Sequence, residues 1–141
     1  MSALAAGCYV LVLNAAFLGG LRCLGAAGRG LRAPRVTLVV ALCIGVPSSL
    51  QLAIPDLLPA LERDATKVGS GDVWRLVTSL LVQDGGLTGM AFNLAALLLI
   101  GTVAEELWGP RRWLVIFVGG ALLSGLVALA WQPVGAGNSI G

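Results

Sequence analysis

Residues 74–113 read WRLVTSLLVQDGGLTGMAFNLAALLLIGTVAEELWGPRRW. At the centre of this stretch, Leu87–Ala104 runs for 18 residues without a charged side chain and stops at Glu105-Glu106. A helix rising ~1.5 Å per residue needs about that length to cross a ~30 Å hydrocarbon core. On the N-terminal side, Trp74, Leu76, Val77, Leu80 and Leu81 recur at helical spacing, and Asp84-Gly85-Gly86 breaks the pattern. This predicts an amphipathic helix over Trp74–Val82 that lies at the membrane interface without crossing, with Asp72 as its cap. On the C-terminal side, Gly109-Pro110 predicts a tight turn into the next apolar run. Asn93, near the start of Leu87–Ala104, is a polar group at membrane depth. It is costly there unless it has a partner or a task.

Outward from this stretch, three more uncharged runs of similar length follow the same rule: Ser2–Leu21, Val36–Ile54 and Trp113–Trp131. Only 11% of the 141 residues are charged and 57% are hydrophobic, with a mean hydropathy of +0.93. Soluble domains carry roughly a quarter charged residues. One buried helix can imitate a span, but four in so short a chain cannot be kept soluble. The predicted fold is therefore all-α, a polytopic membrane bundle of four transmembrane helices plus the interfacial helix of the outer loop. Ser2–Leu21 has no cation before Arg22 and is longer than the apolar core of a signal peptide, so it reads as a retained span.

Cations set the orientation. Arg22, Arg29, Arg32 and Arg35 share one side with Arg111 and Arg112, while Arg63, Lys67 and Arg75 lie on the other. The side with six should be cytoplasmic. The four-arginine loop is then a topology signal beside two spans, and no nucleic-acid partner is expected. Cys8, Cys23 and Cys43 show no CxxC spacing and the chain has no histidine, so neither a metal site nor a cofactor is expected. No Asp, Glu, Lys or Arg falls within a span, which argues against a proton pump or ion-coupled transporter.

Two residues can carry chemistry. Ser139 sits in Gly137-Asn138-Ser139-Ile140-Gly141, which fits GxSxG by letter. The strand, helix and later Asp and His that a nucleophile elbow needs are missing. Small neighbours would let a substrate backbone approach Ser139; equally, Asn138 or Ser139 could cap a helix. The Asn93 amide could serve a developing oxyanion or a hydrogen bond between helices. Gly120 with Ser124, and Ala121 with Gly125, stand four apart and predict a packing seam on the last span. No further helix follows to buttress Ser139, so residues 133–141 are expected to form a loose tail.

The order of parts resembles the rhomboid family of intramembrane serine proteases. Trp74-Arg75 resembles the family's WR dipeptide in a long outer loop. Asn93 matches the Asn of an HxxxN-like opening to the next span, and Glu105 with Gly109 matches its ExxxG close. The ALLSG segment ends at Gly125, and Ser139 follows 14 residues later in a Gly-rich turn. The resemblance covers residues 34–141, a partial rhomboid-like domain, with residues 1–33 as an extra N-terminal span and basic cytoplasmic loop. The family's His falls on Gly89, Ile140 follows Ser139 where the family usually has Gly, and the base histidine of the family is absent.

The resemblance implies a multi-pass protein of a bacterial-type plasma membrane, a serine endopeptidase whose substrates are transmembrane segments of other proteins. Ser139 would be the nucleophile and Asn93 an oxyanion donor. The chain reads as the N-terminal part of such an enzyme, lacking its general base and inactive alone. The alternatives are a rhomboid-like pseudoprotease that binds membrane segments without cutting them, and a small structural membrane subunit.

Overall fold

The computed structural model describes residues 3–83 and 85–136. Its long helices are α1 (Ala3–Ala26), α2 (Arg35–Ala53), α6 (Gly86–Trp108) and α7 (Pro110–Trp131). All four are long and apolar enough to cross a membrane. The outer loop between α2 and α6 folds into short pieces. These are α3 (Leu57–Leu61), β1 (Arg63–Asp64), α4 (Ala65–Gly69) and α5 (Arg75–Thr78), followed by a 3₁₀ turn over Ser79–Leu81. After α7, β2 (Val134–Gly135) pairs antiparallel with β1, Arg63 opposite Gly135 and Asp64 opposite Val134.

The pattern of burial is that of a protein whose solvent is lipid. Leu11, Val115 and Trp131 are 71%, 72% and 91% exposed, while Thr37, Ser48 and Ser79 are fully buried. In water that distribution would be unstable. In hydrocarbon it satisfies the polar groups inside and costs nothing outside. This is a multi-pass integral membrane protein, all-α among the described residues apart from one two-residue strand pair.

Helix α6 is the centre of the bundle and packs against α1, α2 and α7. Its C-terminal end is locked to α2. Pro34, which precedes α2, offers no side-chain cap. The Glu105 carboxylate supplies one from α6, accepting from the Val36 amide (3.1 Å), the Thr37 amide (2.8 Å) and the Thr37 hydroxyl (2.8 Å). Gly109, at φ +81°, then turns the chain from α6 into α7, a conformation that side chains with a Cβ rarely adopt. Glu106 reaches Arg29 of the α1–α2 loop at 3.8 Å, so the two cation-rich segments share one end of the bundle, as their charges require.

The helix expected over Trp74–Val82 is present as α5 and its 3₁₀ continuation, Arg75 to Leu81, with Val82 extended. Three other local expectations are corrected. Asp72 does not cap α5, because its carboxylate pairs with Arg75 at 3.4 Å; the outer-loop cap is Asp64, which accepts from the Thr66 and Lys67 amides at the start of α4. The tail is not loose over its first part, because β2 holds it to β1 and the Ala65 amide donates to the Pro133 carbonyl at 2.8 Å.

The small-residue seam is the third. Gly120 and Ser124 are exposed, and a Cβ added at Gly120 or Gly125 would meet nothing within 4 Å. Close approach occurs on other helices. A Cβ at Gly20 of α1 would collide with the Val103 side chain. One at Gly101 of α6 would lie 2.7 Å from the Thr37 methyl and 3.1 Å from the Trp113 ring. Thr37 cannot retreat without losing Glu105. Gly101→Ala should therefore destabilise the bundle by about 1–3 kcal/mol, the usual cost of overpacking. Gly120→Ala should be neutral or slightly stabilising. Unfolding of both variants by SDS titration in mixed micelles checks this, and equal stabilities would remove the claim that α2, α6 and α7 meet at Gly101.

Candidate active site

Asn93 lies two helical turns into α6, counted from Gly86, at the end of the bundle that carries the outer loop. Its side chain is half-buried and faces a cavity of about 330 Å³ between α1, α6 and α7. The cavity walls are apolar: Val12 and Leu13 of α1, Phe92, Ala96 and Leu97 of α6, and Phe117 of α7. Tyr9 closes on Phe92 edge to face at 6.4 Å, and Trp113 stacks on Phe117 at 5.5 Å. An amide in such surroundings makes strong hydrogen bonds, since water does not compete.

The Asn93 Nδ2 donates to the Gln83 Oε1 at 2.6 Å. Gln83 is itself clamped. The Gln51 Nε2 donates to the Gln83 carbonyl at 2.7 Å, and the Gln83 amide donates to the Gln51 Oε1 at 3.0 Å. One turn earlier on α2, the Ser48 hydroxyl donates to the Leu81 carbonyl at 3.0 Å. The last turns of α2 thus grip the main chain of the loop just where it enters α6. Gly85 and Gly86, at φ +88° and +61°, make the turn that brings the loop onto the helix. Gln83 is 1% exposed, and its Nε2 has no hydrogen-bond partner among the described residues. A buried amide left so costs about 1–3 kcal/mol.

The far limb of the loop is held by Arg75. Its Nη1 donates to the Pro59 and Glu62 carbonyls at 3.2 and 3.0 Å, its Nε pairs with Asp72, and its guanidinium lies 4.8 Å from the centroid of the Trp74 ring. The Thr78 hydroxyl adds a bond to the Leu61 carbonyl at 3.0 Å. Arg63, 3% exposed, donates to the Gln132 carbonyl at 3.0 Å and so ties the loop to the end of α7. The chain leaves β2 at Ala136, which is buried. Ser139 lies in residues 137–141, outside the described residues.

Of the two sequence-predicted site residues, then, Asn93 is found on a built polar network at the outer end of α6. Sequence reasoning missed Gln51, Gln83 and Ser48. A signal was available: Gln51 lies inside the run Val36–Ile54, where an amide is as costly as Asn93 and as much in need of a partner. What the arrangement can do is present carboxamide N–H groups, in a dry setting, to an oxygen that gains negative charge.

The Rhomboid domain family model matches residues 70–141, just over half of the chain. The chain is also similar to three named bacterial proteins. It is 25% identical over 79 residues to the rhomboid protease GluP of Bacillus subtilis, covering 56% of this chain and 15% of that one. It is 28% identical over 78 residues to the putative rhomboid protease YdcA of the same organism, covering 52% and 39%. It is 33% identical over 70 residues to the rhomboid protease AarA of Providencia stuartii, covering 50% and 25%. The chain therefore spans well under half the length of each of these relatives. No solved structure matches it. The matched region takes in the WR dipeptide that pins the outer loop, the helix that carries Asn93 and the Glu105–Gly109 close, and on that match the chain belongs to the rhomboid family.

Proposed function

We propose that this chain carries the nucleophile and oxyanion parts of an intramembrane serine endopeptidase that cuts transmembrane segments of other proteins. Ser139 is the nucleophile and Asn93 an oxyanion donor. The observation that supports this reading is the outer end of the bundle itself. There the Gln51–Gln83–Asn93 network fixes an amide in the wall of an apolar cavity, and the β1–β2 pair returns the chain to the same outer loop at Gly135, four residues before Ser139. In the reaction the Ser139 Oγ bonds to the scissile carbonyl carbon, its proton passes to a base, and the carbonyl oxygen takes the negative charge. Collapse expels the amine, which takes that proton, and water then hydrolyses the acyl-enzyme. The base needs a residue such as histidine, and these 141 residues contain none, so this reading requires one from outside them. Residues 1–33 are then a span added to the protease's own.

Gly89, standing where the family's oxyanion His falls, favours a second reading, a pseudoprotease that binds membrane segments without cutting. Labelling with a fluorophosphonate, mapped to the residue by mass spectrometry, separates the two. The full reading frame that encodes this chain should label at Ser139, and the 141-residue chain should not. Label on a different serine keeps the protease and moves the nucleophile. No label, with a membrane segment still bound, selects the pseudoprotease.

A further inference from the structure

We propose that Gln83 is the second side-chain donor of this site, its Nε2 hydrogen-bonding the oxygen of the scissile carbonyl beside Asn93. The inference rests on the protease reading above. Four observations converge on it. The Gln83 carboxamide is adjacent to that of Asn93, joined to it by the 2.6 Å bond. Its Nε2 is buried and has no acceptor among the described residues. Its position is held at both ends, because Gln51 bonds the Gln83 main-chain amide and carbonyl while the Asn93 Nδ2 bonds its side-chain oxygen. Finally, Gly89, one turn before Asn93, has no side chain and supplies no donor from α6.

The missing partner must be an acceptor, since an amide nitrogen only donates. A peptide carbonyl is such a group, and it is the one a membrane segment brings. When the Ser139 Oγ bonds to the carbonyl carbon, the π electrons move to the oxygen. The Gln83 and Asn93 amides then face an oxyanion and bind it more strongly than they bind the ground-state carbonyl. When the C–N bond breaks, that charge returns to the carbonyl and the amine leaves with the proton held by the base. Gln83 moves no proton. Its contribution is to the transition state and so to kcat.

Gln83→Met tests this. It removes the carboxamide at nearly the same volume and keeps both main-chain bonds to Gln51. In the full reading frame reconstituted in liposomes, with a transmembrane peptide substrate, kcat per fluorophosphonate-titrated site should fall about 10- to 100-fold with KM changed by less than about threefold. The thermal midpoint should change little, since removing a buried unpaired donor offsets the loss of the oxygen that accepts from the Asn93 Nδ2. Gln83→His, which restores an N–H donor at similar reach, should recover part of the loss and serves also if the methionine variant folds poorly. A kcat per titrated site within about twofold of wild type in Gln83→Met, a Gln83→His variant that recovers nothing while Gln83→Met is impaired, or a loss that follows stability alone, overturns the inference and leaves the protease reading standing. A wild-type protein that neither labels nor cleaves overturns both.

Discussion

Glu105→Ala should cost the bundle about 3 kcal/mol of stability, the largest loss expected from any single carboxylate in the chain. The estimate follows from what the side chain does. It accepts three hydrogen bonds at the first turn of α2, from the Val36 amide and from the amide and hydroxyl of Thr37. Bonds to a charged acceptor contribute about 1.5–3 kcal/mol each, and the charge adds a few tenths more from the dipole of α2. Some of that total is recovered in the variant when water reaches the freed amides at the membrane surface. Glu105→Gln should fall between, because one of its two positions is a donor that faces donors. A double-mutant cycle with Thr37→Ala should show coupling of about 1 kcal/mol or more. SDS titration in mixed micelles reads all three. A Glu105→Ala protein within about 0.5 kcal/mol of wild type would mean that α2 finds its cap elsewhere.

This role also explains why an acidic pair ends a membrane span. Glu105 does not simply stop the helix. It crosses to α2 and caps a neighbour 68 residues away in sequence. No periodicity contains that information. The four spans were legible because hydrocarbon imposes one simple requirement, about 20 apolar residues, and the chain meets it four times. The common end of the two arginine-rich segments was legible because charge distributes by side. Helix boundaries, turn glycines and the acidic stop are local properties, and each is found within a few residues of its expected place.

What the sequence did not disclose were the pairings. Gly20 and Gly101, not Gly120, are points of close approach, since which glycine faces a helix depends on how each helix is rotated, and α6 has neighbours on three sides. Residues 133–136 looked untethered because a two-residue strand has no pattern to detect; its partner, Arg63–Asp64, reads as ordinary polar loop. Asn93 could be singled out as a polar group in an apolar run, but its partner could not. Gln83 lies in the polar loop, where an amide attracts no notice until the fold buries it. The candidate site thus rests on one expensive residue and a family pattern, while the network around Asn93 is visible only in the contacts.

Arg75→Ala should be comparably damaging, about 3 kcal/mol, and should also disturb the site at a distance. Arg75 is 7% exposed and holds two carbonyls, those of Pro59 and Glu62, that have no regular ladder to join. Removing the guanidinium leaves both without that donor inside the loop and frees Asp72 as well. Arg75→Lys should recover less than half of the loss, because an ammonium cannot span two carbonyls and a carboxylate with the same planar fork. The consequence for the site follows from connectivity. Arg75 fixes the limb of the loop that leads through α5 and the 3₁₀ turn to Leu81 and Gln83. Gln51 and Ser48 grip the other end of that segment. With Arg75 gone, this end of the segment keeps the Thr78–Leu61 bond but loses its charged anchor, and the separation of Gln83 and Asn93 is held less firmly. Hydrogen exchange of the 59–83 segment in micelles should therefore rise in Arg75→Ala while α6 and α7 stay protected. Unchanged protection of that segment would show that α2 alone positions Gln83, and that the WR dipeptide serves the loop without serving the site.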